Sequence, residues 1–391
     1  MPKLSILMPT RERASYLPAA IQSCLSSKSN DFELVVLDNA SLDDTADVVR
    51  SIDDPRLRYL PSDSRLSMRD NFERGLDAAE GDIISFVGDD DGVFSFTPEV
   101  VIETFERHEI EAISARRAHY AWPDLLSSRR GTGLLPRGSG MQIRDSREVL
   151  RSVLDDNDYY KLPCLYHGFV SRPLVDRIKT RDGRFFHSSQ VDMYSAITLS
   201  MEEIRFAYFD SPLVINGGSA RSNGAAHFGG GSSTEKTNWK KEDELGFLPG
   251  FEGYVTVGSL IVESALRYCM NNPKFELTDI FDIEDVERAM ASERRARIGA
   301  GANLEALDAA VAGLGLSPSA MVDQNAGGLG RVARLGRSFL RTSPVDMTSH
   351  GVRDVDGARR LMEERLNSHS TGWWSHPVEE MVIASRIAFG K

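Results

Sequence analysis

The stretch LSILMPTRERASYLPAAIQSCLSSKSNDFELVVLDN, residues 4–39, decides the fold class of this 391-residue chain. It begins with a short apolar run that Pro9 ends, which is typical of a buried strand. The segment that follows has apolar residues at helical spacing: Leu17, Ile21, Cys24 and Leu25. A second apolar run, FELVVLDN, ends at Asp38 and Asn39. Strand, helix and strand in this order predict a right-handed βαβ unit with two parallel strands.

Two further helices and strands continue the pattern. SLDDTADVVRSI has Ser41 three residues before Asp44, which predicts a helix beginning at Ser41. LRYLP predicts a third strand, SMRDNFERGLDAAEG a helix that Gly81 closes, and DIISFVG a fourth strand. Strands separated by helices indicate an α/β fold with a mainly parallel central sheet flanked by helices.

Polar residues follow three of these strands: Pro9-Thr10-Arg11, Asp38-Asn39 and Asp89-Asp90-Asp91. Open parallel sheets bind ligands at the carboxyl ends of their strands. Adjacent carboxylates repel each other, so the triplet in GDDDG indicates a compensating cation. An acidic turn in water is the alternative.

The remaining chain is predicted from coarser patterns. Residues 97–120 continue with a helix and a strand, and LYHGFVS, residues 165–171, predicts a further strand. PDLLSSRRGTGLLPRGSG, residues 123–140, predicts a loop, and RFAYFDSPLVIN, residues 205–216, a single strand. The glycine-rich residues 217–237 predict a long loop. Beyond about Phe251 the pattern is helical, which predicts a mostly helical C-terminal region.

Composition excludes some classes of protein. The net charge of −12 and the pI near 5.3 argue against a nucleic-acid partner, which requires a basic surface. Cys24, Cys164 and Cys269 have no metal-ligand spacing and are expected to be buried, reduced thiols of a cytoplasmic protein. No stretch approaches the roughly 20 apolar residues of a membrane span. Peripheral contact with a membrane stays open.

The residues quoted above, together with MRDNFERGLDAAEGDIISFVGDDD, resemble the nucleotide-binding half of a family 2 glycosyltransferase with the GT-A fold. The resemblance is strong over residues 3–95 and weaker to about residue 225. It implies a GT-A domain over residues 1–240, with a nucleotide-binding half, 1–95, and an acceptor half, 96–240. Residues 241–391 then form the helical C-terminal region.

The resemblance implies a nucleotide site at the sheet edge. The implied nucleotide-binding residues are Pro9, Thr10, Arg11, Asp38, Asn71, Arg69 and Asp90. Asp38 would accept a hydrogen bond from the imide N–H of uracil, and a turn or N-cap role is its alternative. Arg69 and Arg65 would reach a diphosphate, and a solvated helix charge is the alternative for each.

The acidic triplet corresponds to the DxD signature of the family. Asp89 and Asp91 are the implied ligands of Mn²⁺ or Mg²⁺, with His227 as a further candidate from the glycine-rich loop. The metal would stabilise the diphosphate leaving group. Many relatives carry Asp at the position of Gly88, which leaves open which of the three carboxylates bind the metal.

Inverting transfer also needs a base for the acceptor hydroxyl. The implied base is Asp192 in QVDMYSAI, and a helix N-cap is the alternative role. Tyr166 and His167 are expected to line the acceptor pocket. The implied reaction moves a sugar from a nucleotide-diphosphate donor, with a UDP-sugar favoured, to a hydroxyl of a glycan or glycoconjugate.

Three other functions are alternatives to glycosyl transfer. A nicotinamide-dependent dehydrogenase needs GxGxxG in the first βα turn, where this chain has PTRERAS. A sugar nucleotidyltransferase needs a glycine-rich, basic loop after the first strand, and that loop is missing. A non-catalytic sugar-nucleotide or carbohydrate-binding relative is the remaining alternative, because fold does not give function.

The segment GLGRVARLGRSFLR, residues 328–341, predicts a basic amphipathic helix. Its basic residues are Arg331, Arg334, Arg337 and Arg341, and its apolar residues are Leu329, Val332, Leu335 and Phe339. Such a helix docks on an anionic membrane. The alternative is that its apolar side packs on the helical region or on a second subunit in a homo-oligomer.

Overall fold

The computed structural model describes residues 3–156, 158–179, 183–222, 243–316 and 342–368. Its strands are β1 Leu4–Thr10, β2 Phe32–Asp38, β3 Leu57–Pro61, β4 Ile83–Phe86, β5 Gly92–Val93, β6 Ala112–Ala115, β7 Ala118–Ala121, β8 Thr132–Pro136, β9 Met141–Asp145, β10 Phe169–Ser171, β11 Arg205–Phe209, β12 Val214–Gly218 and β13 Thr342–Asp346. Its α-helices are α1 Leu17–Leu25, α2 Thr45–Arg50, α3 Met68–Ala78, α4 Thr97–Arg107, α5 Ser146–Arg151, α6 Val153–Asp156, α7 Arg172–Ile178, α8 Val191–Met201, α9 Val257–Asn271, α10 Leu277–Ile280, α11 Ile283–Gly299, α12 Glu305–Gly313 and α13 Val355–Ser368. A 3₁₀ turn covers Tyr159–Lys161.

The larger sheet has eight strands in the order β3-β2-β1-β4-β10-β6-β11-β9. The first four are parallel neighbours, and β6 and β11 form another parallel pair. Helices cover both faces: Ile6 of β1 shares a core with Ile21 of α1, and Leu7 shares another with Phe72 of α3. The predicted α/β fold with a mainly parallel sheet is therefore confirmed.

A second sheet, which the sequence did not predict, packs beside the first. Its five strands follow the order β13-β8-β7-β12-β5. β5 begins directly after the acidic triplet, at Gly92, and pairs antiparallel with β12. The second sheet thus fixes the chain directly after the triplet, and β4 fixes the chain before it.

Two sequence predictions in this region are wrong. Residues 123–140, predicted as a loop, contain β8, which is stabilised by antiparallel pairing with β7 and β13 rather than by its own composition. Residues 205–216, predicted as one strand, form β11 in the larger sheet and β12 in the smaller one. The chain changes sheets at Ser211 and Pro212, because proline cannot continue a hydrogen-bonded ladder.

Three element boundaries also differ from the prediction. The α2 helix begins at Thr45, not Ser41, because the Ser41 hydroxyl accepts a hydrogen bond from the Glu12 N–H instead. The α3 helix ends at Ala78, and Gly81 packs on β1, where a Cβ would lie 2.7 Å from the Ser5 nitrogen. The predicted strand LYHGFVS is a strand only from Phe169, because His167 has a left-handed backbone with φ 65°.

The C-terminal region is mostly helical, as predicted, but it has two parts. Helices α9, α11 and α12 share a core with α8. Residues 342–368 instead pack against the N-terminal part of the chain, where β13 pairs with β8 and α13 packs on α1. Val345, Val355 and Met362 lie in the same core cluster as Ile21 of α1.

Two further expectations concern membrane spans and thiols. None of the described helices is both long enough and apolar enough to cross a bilayer. All three cysteines are free thiols. Cys24 and Cys164 are buried as expected, whereas Cys269 is only partly buried.

Candidate active site

Polar residues from three loops meet at the carboxyl edge of the larger sheet. Thr10 and Asp38 face each other in register at the ends of β1 and β2. The triplet Asp89–Asp91 follows β4, which pairs with the other side of β1. All of these side chains are buried. The structure thus brings together at one edge the residues that the sequence placed at strand ends.

Arg13 forms ion pairs with the first two carboxylates of the triplet. Its Nη1 lies 3.1 Å from Asp89 Oδ1 and 3.6 Å from Asp90 Oδ2. The Ser219 hydroxyl donates a 2.6 Å hydrogen bond to Asp90 Oδ2, and the Ser222 hydroxyl donates to the same oxygen. The segment after β12 therefore closes onto the acidic residues. Neither Arg13 nor this serine pair was predicted as part of the site.

Asp91 is held entirely by protein groups. Its Oδ2 accepts hydrogen bonds from the Tyr166 hydroxyl at 2.7 Å and the Gly88 N–H at 2.8 Å, and lies 2.6 Å from His167 Nε2. Its Oδ1 accepts one from the Gly217 N–H at 2.7 Å. Burial raises the pKa of Asp91, but His167 and these hydrogen bonds outweigh it, so the pKa lies below its usual value. Asp91 is therefore ionised and links β4, β12 and the segment before β10.

Two glycines make this arrangement sterically possible. A Cβ at Gly88 would lie 2.6 Å from both Asp91 Oδ2 and the Tyr166 hydroxyl oxygen. A Cβ at Gly217 would lie 1.8 Å from the Asp90 carbonyl oxygen. The Tyr166–Asp91 hydrogen bond thus leaves no space for a side chain at Gly88.

Asp89 and Asp90 have properties that suit a divalent cation. Burial, only partly offset by Arg13, raises the pKa of Asp89 to about 6, and burial also raises that of Asp90. Arg13 contacts Oδ1 of Asp89 and Oδ2 of Asp90, and the Ser219 and Ser222 hydroxyls donate to Oδ2 of Asp90. Within the described ranges, no three His, Cys, Asp or Glu side chains form a ready-made metal cage. Such a cage is not required, because Mg²⁺ at nucleotide sites uses one or two carboxylates plus substrate phosphates.

Of the residues predicted to bind the nucleotide, some lie at the carboxyl edge of the larger sheet and others support that edge. Asp38 accepts hydrogen bonds from the Tyr59 hydroxyl at 2.6 Å and the Ser41 N–H at 3.0 Å. Asn71 is buried, donates to the Leu37 carbonyl and accepts from Arg74, so its side chain braces the end of β2.

The remaining predicted residues at this edge are partly exposed. Pro9 and Arg11 lie at the end of β1 and just after it. Arg69 Nη2 lies 3.5 Å from Asp243 Oδ1, and Arg65 forms an ion pair with Glu12. The role of each in nucleotide binding stays a prediction.

Asp192 is a second carboxylate centre, at the start of α8. Its Oδ2 accepts a 2.5 Å hydrogen bond from the Tyr159 hydroxyl, and its Oδ1 accepts one from the Met193 N–H. The N-cap of α8 is Gln190, and Asp192 stands inside the first turn. The N-cap alternative for Asp192 is therefore wrong. Burial and Asp192, in that order, raise the pKa of Tyr159 far above its usual value, so this phenol stays a donor.

An arginine that the sequence did not single out lies beside this centre. Arg117 stacks on Tyr160, whose ring centroid is 3.9 Å from that of Tyr159. Its Nη1 donates a 3.2 Å hydrogen bond to Asn216 Oδ1. Asn216 immediately precedes Gly217, whose N–H holds Asp91. Arg117 thus connects the Asp192 side of the site with the acidic triplet.

Some sequence predictions fall outside the described residues. His227, the candidate third metal ligand, is one of them. The amphipathic segment 328–341, with its proposed membrane or subunit contact, is another.

Comparison with known proteins is consistent with this geometry. Residues 5–170 match the family model described as glycosyl transferase family 2. Over 98 residues the chain is 39% identical to the GalNAc(5)-diNAcBac-PP-undecaprenol beta-1,3-glucosyltransferase of Campylobacter jejuni, a match covering 24% of this chain and 32% of that protein. It is 35% identical over 96 residues to a PGL/p-HBAD biosynthesis glycosyltransferase of Mycobacterium bovis, covering 24% of this chain and 37% of that protein. The chain thus spans about a third of the length of these curated relatives.

A solved structure extends the likeness to most of the fold. S. aureus TarS 1–349, crystallised in complex with UDP-GlcNAc, superposes with a TM-score of 0.54 at 14% identity. The superposition covers 94% of this chain and 92% of that one. The GT-A architecture is therefore shared beyond the N-terminal segment in which sequence similarity is measurable.

Proposed function

We propose that the chain, whose residues 5–170 match the model of glycosyl transferase family 2, is an inverting, metal-dependent glycosyltransferase. It transfers a sugar from a UDP-sugar to a hydroxyl of a glycan or glycoconjugate. The observation that carries the proposal is the pair of separate carboxylate centres. Asp89 and Asp90 lie at the sheet edge, where a nucleotide diphosphate would bind, and Asp192 lies at the start of α8.

The donor side of the proposal uses the edge formed by β1, β2 and β4. Thr10 and Asp38 lie in register there, so a base and ribose placed against them have a rigid, buried floor. Asp38, oriented by Tyr59, is the proposed acceptor for the uracil imide N–H. The complex of S. aureus TarS with UDP-GlcNAc, a protein of the same architecture, supports UDP as the nucleotide.

Asp89 and Asp90 are the proposed ligands of Mn²⁺ or Mg²⁺. The metal would neutralise charge on the diphosphate as it leaves. The four hydrogen-bonding partners of Asp91 favour Asp90 over Asp91 as the second ligand. Asp91 as a ligand stays the prediction from sequence. Arg13 already balances part of the negative charge and is positioned to contact the diphosphate as well.

Asp192 is the proposed base. The acceptor oxygen forms a bond to the anomeric carbon, the bond from that carbon to the diphosphate oxygen breaks, and the acceptor proton passes to Asp192. The Tyr159 hydroxyl fixes the Asp192 carboxylate through Oδ2. Attack on the face opposite the leaving group inverts the anomeric configuration.

The class of acceptor and the location are proposed from the relatives. The two named above carry out steps in the synthesis of glycoconjugates, according to their names, so a lipid-linked or otherwise conjugated glycan is the proposed acceptor. A cytoplasmic enzyme that contacts the inner face of a membrane, alone or as a homo-oligomer, fits such an acceptor.

Donor binding and hydrolysis test this function directly. UDP and a panel of UDP-sugars are titrated into the full chain by calorimetry with Mn²⁺ and then with EDTA, and slow donor hydrolysis is followed by release of UDP. We expect metal-dependent UDP binding and hydrolysis of one UDP-sugar. UDP binding that is the same in EDTA would contradict the metal site. Absence of any nucleotide binding would favour the non-catalytic carbohydrate-binding alternative.

A further inference from the structure

We infer that the acceptor carries an anionic group, a phosphate ester or a carboxylate, which binds to Arg117 close to the hydroxyl that receives the sugar. This inference rests on the proposed function and names the chemistry of its acceptor. Arg117 precedes β7 and is half-buried. A half-buried guanidinium without a matching negative charge is costly unless a ligand supplies that charge.

The partners of Arg117 are neutral. They are the amide oxygen of Asn216 at 3.2 Å and the ring of Tyr160. Burial lowers the pKa of Arg117, but the Tyr160 and Tyr159 side chains and the charge of Asp158 outweigh it, so the pKa lies above its usual value and the guanidinium is charged. Among the described residues, then, no carboxylate lies within ion-pair distance of this arginine. By contrast, Arg13, Arg267, Arg297 and Arg359 each pair with a carboxylate. Arg74 and Arg172, which are half-buried like Arg117, instead donate to backbone carbonyl groups, which Arg117 does not.

A histidine and a second arginine lie close to Arg117. His119, two residues along and on the same side of β7, lies opposite Asn216 in register. The enclosing protein and then Arg117, His167 and Arg129 lower its pKa to about 3. His119 is therefore neutral near pH 7 and offers a hydrogen bond without charge. Arg129, exposed in the β7–β8 loop, contributes a second cationic group within electrostatic range.

The position of Arg117 assigns it to the acceptor rather than to the donor. Arg13 lies against Asp89 and Asp90, where the donor diphosphate is proposed to bind. Arg117 instead joins the Asp192 side through the Tyr160 and Tyr159 rings and the Tyr159–Asp192 hydrogen bond. The base has to meet the acceptor hydroxyl, so a group bound at Arg117 belongs to the same acceptor.

The test measures binding of small anions to the full chain. Glycerol 1-phosphate, methyl glucuronide and neutral methyl glucoside are titrated separately into nucleotide-free protein and into protein saturated with UDP and Mn²⁺. The variants are Arg117→Met, which keeps the length of the side chain, and Arg117→Lys, which keeps the charge without the planar fork. The matched control is Arg144→Met, because Arg144 also stacks on a tyrosine, Tyr208, but on the edge strand β9.

We expect one or both anions to bind more tightly than the glucoside. Arg117→Met should weaken that binding about 10- to 100-fold, because a charge-assisted hydrogen bond is lost. Arg117→Lys should weaken it less, and Arg144→Met should leave it unchanged. Preference between glycerol 1-phosphate and methyl glucuronide identifies the group as phosphate or carboxylate. Unchanged anion binding in Arg117→Met, or equal binding of the neutral glucoside, would overturn the inference.

A loss of UDP affinity in Arg117→Met would also overturn it, by assigning Arg117 to the donor. Failure of the wild-type chain to bind UDP contradicts the proposed function instead. The titrations on nucleotide-free protein still decide whether Arg117 binds an anion, so the two failures can be told apart.

Discussion

His167 Nε2 lies 2.6 Å from Asp91 Oδ2, and both side chains are buried. The contact joins the loop after β4 to the segment before β10, which are 76 positions apart in sequence. His167 reaches Asp91 from a left-handed backbone conformation, which costs free energy in a non-glycine residue. The third carboxylate of the acidic triplet is thus tied to the scaffold, whereas the first two have raised pKa values.

Substitutions within the triplet should therefore have two different effects. Asp89→Asn should reduce metal-dependent UDP affinity by at least about tenfold, since a charged metal ligand is lost, with little change in melting temperature. Asp91→Asn should lower the free energy of unfolding by about 3–5 kcal/mol, because one partner of a buried charged contact is removed. Calorimetric titration and thermal unfolding separate the two outcomes. If Asp91→Asn keeps its stability and loses only metal binding, Asp91 is a ligand, as predicted from the sequence.

Metal binding should weaken in acid. The pKa of Asp89 is raised to about 6, so lowering the pH through this value protonates a carboxylate that the cation needs. At about pH 5 roughly a tenth of such a group is ionised, so affinity for Mn²⁺ should fall about tenfold relative to pH 7.5. A UDP-sugar is the suitable probe, because its diphosphate is esterified at both ends and keeps its charge. The same loss of affinity in Asp89→Asn would show that another group is responsible.

Gly88→Ala should destabilise the protein although it adds only a methyl group. The new Cβ would meet Asp91 Oδ2 and the Tyr166 hydroxyl at 2.6 Å, and overpacking of this kind costs about 1–3 kcal/mol. Gly299→Ala, at the end of α11 with no atom within 4 Å of the added Cβ, is the matched control. Chemical denaturation measures both. Equal free energies of unfolding for the two variants would mean that Asp91 and Tyr166 can move to make room for the methyl group without destabilising the protein.

Asp192→Asn should lower turnover by about 10²- to 10⁴-fold, the usual contribution of positioned proton transfer. UDP affinity should change little, because the base acts on the acceptor hydroxyl and not on the donor. Asp145→Asn is a suitable control: Asp145 caps α5, and asparagine caps nearly as well as aspartate. Product configuration is followed by NMR. Retention of the donor's anomeric configuration, or normal turnover in Asp192→Asn, would exclude Asp192 as the base.

Met362→Ala should destabilise the whole N-terminal part of the chain. Met362 of α13 is fully buried in the core that α1 also lines, and truncating a buried methionine costs about 2–5 kcal/mol. Met270→Ala, at a side chain that is 63% exposed, should have little effect. Differential scanning calorimetry compares the two. A normal main transition in Met362→Ala would show that residues 342–368 unfold separately.

The sequence predicted the part of the molecule that local patterns determine. Apolar runs and helical spacing identified β1 to β4 and the helices between them, because β1, β2 and β4 are buried on both faces. The edge residues Thr10, Asp38 and Asp89 were predicted because each lies at the end of a strand or shortly after it. Asp192 came from the resemblance alone, since nothing in QVDMYSAI distinguishes a base from any other residue in a first turn.

What the sequence did not predict depends on contacts between distant segments. Arg13 pairs with Asp89 across 76 positions, and Ser219 with Asp90 across 129. Short strands such as β5, β8 and β13 exist because their neighbours pair with them, and their own residues carry little strand signal. Arg117 was missed because its significance lies in having neutral partners, which only the packed structure reveals.

The return of residues 342–368 to the N-terminal core has a consequence for synthesis on the ribosome. Strand β8 leaves the ribosome more than two hundred residues before α13 is complete. At about 5–20 residues per second, the apolar surface of β8 therefore stays uncovered for about 10–50 seconds, and that of α1 for longer. We expect the nascent chain to depend on chaperones during that interval. Messages cut short before residue 342 should yield a product in which this surface is never covered and which aggregates.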